Sequence, residues 1–124
     1  LDAYHRAASW PGAPAIALEK YGIALLEAGQ FGEAQEAFNR ALDGLDTGAV
    51  YLGLGVAAFK NGDLERAREA LKACVHRWPS LLDAWHVLIQ STDAEERQPL
   101  LEHASPWLMP EEIRQLEEIA QNTG

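Results

Sequence analysis

Histidine, cysteine and paired glutamates are the residues here that could do chemistry. His5, His76, His86 and His103 lack the short spacings that hold a metal, and no cysteine cluster accompanies them. Glu111-Glu112 and Glu117-Glu118 would be candidate acid–base pairs. They are better read as a solvated helix face, with the first pair near the positive end of its helix. Cys74 is the lone cysteine, so it has no intramolecular disulfide partner. With no histidine base beside it, it reads as a small buried hydrophobe rather than a reactive thiol. No glycine-rich loop matches a phosphate cradle. Trp10, Trp78, Trp85 and Trp107 have no basic groove between them and make no stacking platform for nucleic acid. Trp85 is expected inside its own unit, Trp78 and Trp107 at the C-terminal end, and Trp10 at the other end. The expectation is a protein with no catalytic residue, no metal and no cofactor.

Composition points the same way. The chain has 124 residues, enough for one small domain with a continuous core. It is 48% hydrophobic and 23% charged, which is the balance of a folded chain rather than a disordered one. The net charge of −9 disfavours binding to a phosphate backbone. Residues 48–81 carry five basic against three acidic residues, while residues 82–124 carry two against nine. The acidic surplus therefore sits at the ends, the C-terminal end above all. It serves solubility first and would suit a basic or amphipathic partner second. The longest apolar stretch, Ala49–Phe59, is short of the roughly 17–25 residues that span a bilayer, so no direct membrane insertion is expected. The chain begins at Leu1 rather than Met and is expected to be a fragment or a processed product. The compartment, cytoplasmic or periplasmic, stays open.

The elements that would position any site follow from an internal repeat. Gly22, Ala34, Phe38 and Ala41 recur as Gly55, Ala67, Leu71 and Cys74, a shift of 33 residues, and Gly29-Phe31 recur as Gly62-Leu64. Such a period means stacked helical hairpins that share a core. Punctuation predicts helices over about Pro14–Ala28 and Phe31–Leu42, split by Gly29-Gln30. The next pair is predicted over about Gly48–Lys60 and Leu64–Arg77, with Asp63 as N-cap. A helix over Leu81–Gln90 follows, with Ser80 and Asp83 approximating a capping box. Thr92 with Glu95 forms a second capping box and starts a helix of about Asp93–His103, in which Pro99 is expected to cause a kink or an early stop. Pro110-Glu111-Glu112 opens the last helix, about Pro110–Gln121. There Ile113, Leu116 and Ile119-Ala120 make one apolar stripe suited to capping the stack.

These units resemble tetratricopeptide repeats. The first, 15–48, has Leu18, Tyr21-Gly22, Leu25, Ala34, Phe38 and Ala41, with Asp46 where the pattern closes on Pro. The second, 49–80, has Tyr51, Leu54-Gly55, Ala58, Ala67, Leu71 and Cys74, and closes on Pro79. A degenerate third unit, 81–104, keeps Trp85 and Leu88 but has Ile89 at the glycine position. Residues 105–124 then cap the stack. The resemblance implies an all-α, right-handed superhelix of antiparallel hairpins, an α-solenoid, whose role is protein–protein contact. It also implies that the first helix of each unit lines the inner face. The inward positions would be Ile16, Glu19, Ile23 and Leu26; then Ala49, Leu52, Val56 and Phe59; then Asp83, His86 and Gln90.

That face is apolar at its centre, which predicts a groove for a peptide or helix of another protein. Alternatives are a second copy of the chain, a structural module of a larger assembly, or an accessory domain of a larger enzyme. The groove could instead be covered from within, by Leu1, Tyr4 and Trp10. Some relatives clamp a C-terminal carboxylate with Lys, Asn and Arg; Glu19, Ile23, Leu52 and Val56 stand at those sites here, so that chemistry is not expected.

Overall fold

The computed structural model describes residue 6 and residues 12–122. The N-terminal helix expected over residues 1–10, and the covering role of Leu1, Tyr4 and Trp10, lie outside these residues. Among the described residues all regular structure is helical. The elements are α1 (Ala15–Glu27), α2 (Phe31–Ala41), α3 (Gly48–Lys60), α4 (Leu64–Arg77), α5 (Leu82–Gln90), α6 (Ala94–Ala104), a 3-10 turn (Ser105–Trp107) and α7 (Pro110–Asn122).

Local chemistry sets most boundaries. Gly29 and Gly62 have φ of 78° and 82°, the left-handed conformation that side chains resist. Around each, two backbone bonds close the preceding helix. Gln30 N–H reaches Leu25 O and Gly29 N–H reaches Leu26 O; Asp63 N–H reaches Ala58 O and Gly62 N–H reaches Phe59 O. These are two copies of one Schellman end, 33 residues apart. The Asp63 carboxylate then accepts from Arg66 N–H at 3.3 Å and starts α4, while Thr47 Oγ1 accepts from Val50 N–H at 3.4 Å and starts α3. At α7, Glu112 Oε1 accepts from Met109 N–H at 2.8 Å.

α1 pairs with α2 and α3 with α4, each pair in extensive contact, and α2 stacks on α3. The glycines explain how closely they approach. Phe38 of α2 lies between α1 and α3: a Cβ at Gly22 would meet its ring at 3.0 Å, and one at Gly53 at 2.5 Å. A Cβ at Gly55 would meet Leu71 Cγ at 2.5 Å. One core cluster gathers Leu18, Leu25, Phe38, Val50 and Leu54; a second runs from Ala58 and Leu71 through Trp85 to Leu116. Tyr21 packs half-buried against the first. Cys74 is fully buried, which pushes its thiol up to about 11, and its Sγ lies 3.7 Å from Gly48 O.

The C-terminal third departs from the hairpin plan. α5 stacks on α3 and α4 as a third first helix, yet α6 touches it only sparingly and α7 lies against it more fully. Buried Arg97 ties this region together. Its Nε donates to Ile89 O at 3.1 Å and Thr92 O at 2.9 Å, and its terminal nitrogen donates to Ala120 O at 2.9 Å. One carbonyl near the end of α5, one just beyond it and one in the last turn of α7 thereby gain a donor.

Several sequence expectations are corrected here. Neither capping box forms at α5 or α6, whose N-caps are Leu81 and Asp93, each without a side-chain bond. Thr92 Oγ1 instead donates back to Leu88 O at 2.7 Å, because the end of α5 is the nearer claimant. Pro99 does not stop α6, which continues to Ala104; the carbonyl it leaves unpaired belongs to exposed Glu95. Trp85 is buried as expected and donates to Pro79 O at 2.7 Å. Trp78 does not close the end of the molecule. It packs beside Tyr51, with ring centroids 6.0 Å apart, under the Arg77 guanidinium. Trp107 is 55% exposed.

Candidate functional site

The first helices touch in series, α1 to α3 and α3 to α5, while α2 and α4 are spread apart. On the outside, polar side chains link α2 to the turn before α4 and to α4 itself. Gln35 Nε2 donates to Asp63 at 2.9 Å, Asn61 Nδ2 donates to Gln35 at 3.2 Å, and Arg66 donates to Asn39. A stack in close contact on one side and splayed on the other curves toward the close side. The first helices are therefore the candidate inner face.

Each helix offers one stripe to that face, because residues at i, i+3, i+7 and i+10 lie one above another. On α1, Ile16 is 55% and Ile23 44% exposed, Glu19 is half-buried, and Leu26 packs half-buried against the first core cluster. On α3, Ala49 is exposed and Val56 half-buried. Leu52 and Phe59 are half-buried because the second core cluster takes one side of each. On α5, Asp83 is exposed and His86 and Gln90 are half-buried. The apolar stretch thus lies on α1 and α3, and the polar residues lie on α5. The second core cluster thus uses part of the apolar surface that the sequence reading offered to a ligand.

A tetratricopeptide-repeat family model matches residues 20–81, half of the chain. The chain belongs to the tetratricopeptide repeat family. The matched span runs from within α1, through α2, α3 and α4, to the N-cap of α5. Repeats of this family generally mediate protein–protein interaction and are typically non-catalytic. No curated protein matches the chain.

The electrostatics of the repeats are structural. Asp46, standing where the second repeat closes on Pro79, accepts from Arg77 at the end of α4. That bond, and a second from the Tyr51 hydroxyl, hold its carboxyl below the ordinary carboxylate range. The same bond to Asp46, with burial, raises Tyr51. Asp63 is likewise lowered, by Gln35 first and Arg66 N–H second. Lys60 Nζ sits 5.8 Å from the Phe31 ring centroid. Among the described residues no three His, Cys, Asp or Glu side chains are grouped to hold a metal ion, and no helix is long and apolar enough to cross a membrane.

Two features escaped sequence reading. Gly53 matters as much as Gly22, since Phe38 needs room on both sides; the size of the aromatic ring was the available signal. His76 and His103 stand 27 residues apart, too far for any local motif to link them. The fold brings them to the walls of one cleft, with no signal in the primary structure.

Proposed function

We propose that this chain is a protein-interaction scaffold that seats a peptide or helical segment of another protein on the inner face of α1, α3 and α5. Ile16 and Ile23 carry the reading. Two isoleucines one above the other, both substantially exposed, are costly to leave in water and continue onto half-exposed Val56 and Leu52. Asp83, His86 and Gln90 would then supply polar contacts that set the direction and register of the segment. An amphipathic helix laid along such a face would bury its apolar stripe against α1 and α3. On this reading the units are 15–48, 49–80 and 81–104, with 105–124 closing the stack.

Photo-crosslinking tests it. A photoreactive residue replaces Ile23 in one sample and Glu118, on the exposed side of α7, in another. A protein crosslinked from position 23 only, and released when Ile16 is changed to Asp, supports the reading. Adducts that are equal from both positions, or that consist only of a second copy of the chain, overturn it.

A further inference from the structure

A cleft of about 500 Å³ lies between α4 and α6, with Trp85 and Leu88 of α5 at its base. Its volume falls in the range of ligand sites, about 300–1,000 Å³. It shares no residue with the inner face of the first helices, so it is a separate surface.

Its chemistry is two-sided. Val75, Leu88, Leu100 and Trp107 give it an apolar lining. Lys72 and His76, one turn apart on α4, face His103 of α6, whose ring lies 5.9 Å from that of Trp85. Lys72 forms no ion pair with any described residue. Trp107 stands at the edge 55% exposed, and Met109, two residues on, is 67% exposed. A second hollow of about 350 Å³ shares Lys72, Leu100 and His103, and Glu96 is the one carboxylate lining either space. In a chain of net charge −9, this is a lysine and two imidazoles around an apolar floor.

We infer that this cleft is a second binding site, for a segment of a partner protein that presents a bulky apolar side chain flanked by carboxylates. The apolar side chain would displace water from Leu100 and stack on Trp107, a residue type enriched among interface anchors. The carboxylates would pair with Lys72 and accept hydrogen bonds from the two imidazoles. Charge complementarity selects an acidic segment, because a basic one would face Lys72 across an apolar floor of low polarisability.

The test is two-dimensional amide NMR of the isotope-labelled chain. It is titrated with a short Gly-Ser peptide carrying a central Phe between Asp residues, and with the same peptide carrying Lys for Asp. The acidic peptide is expected to shift resonances of α4, α6 and the Trp107 indole. Lys72→Glu should weaken it about fivefold, and Trp107→Ala about tenfold or more. Both positions are exposed, and the spectrum reports whether each variant is folded. Ile23→Asp should leave this titration unchanged, so its outcome is independent of the inner-face reading. Equal binding of the basic peptide overturns the inference, as do shifts on α1 and α3 instead, or none at millimolar peptide. Cleft shifts that follow protein concentration without peptide would give the site to a second copy and overturn the partner assignment.

Discussion

Gly55→Ala tests whether the spacing of the helices rests on the missing side chain. In an exposed helix this change gains about 0.8–1 kcal/mol. At Gly55 the new Cβ would stand 2.5 Å from both Cγ and Cδ2 of Leu71, roughly 1 Å short of favourable contact. Leu71 is fully buried and Cγ is its branch point, so rotation of a free end gives no relief. α3 and α4 must part, and overpacking of this kind costs about 1–3 kcal/mol. Taking about 3 kcal/mol for the overlap and subtracting the helix gain leaves a net loss of about 2 kcal/mol, or about 8 °C in melting temperature. Gly32→Ala is the control: its Cβ would meet nothing closer than 3.5 Å. It should melt up to about 4 °C higher than the parent. Thermal unfolding followed by circular dichroism reads both. Leu71→Ala should cost about 1–2 kcal/mol less in the Gly55→Ala background than alone, since it removes the overlap. A Gly55→Ala chain that melts at or above the parent, or strict additivity with Leu71→Ala, would refute the argument.

Other outcomes follow from single contacts. Asp46 and Asp63 both have lowered folded pKa values, so their contribution is present above the ordinary carboxylate range and is lost as pH falls through the folded values. The urea midpoint should therefore fall between pH 7 and pH 3 by less in Asp46→Asn/Asp63→Asn than in the parent. Arg97→Met removes three bonds to backbone carbonyls in a buried setting. It should destabilise by about 2–4 kcal/mol, with hydrogen exchange showing α7 opening well before α1–α4. Cys74, buried with its thiol raised to about 11, should not react with an aromatic disulfide reagent at pH 8 until the chain is unfolded.

What sequence determined is what neighbours along the chain decide. The 33-residue shift, Gly29 and Gly62 as left-handed helix ends, Asp63 as a cap, and the bounds of α3 and α4 all depend on bonds spanning a few residues. The same applies to the small residues at Gly22 and Gly55, because a repeat makes one close approach visible twice. The candidate inner-face positions followed from the family resemblance, but not how much of each stays exposed. Leu52 and Phe59 lose part of their surface to the second core cluster, which gathers residues from α3 to α7. The C-terminal third depended on the tertiary structure, since its local signals conflict with better distant partners. Thr92 turns back to Leu88, Arg97 reaches 23 residues ahead to Ala120, and α7 takes much of the contact with α5 that a paired α6 would make. The cleft with Lys72, His76 and His103 belongs to the same class. Its walls come from helices with no repeat between them, so spacing along the chain carries no record of their meeting.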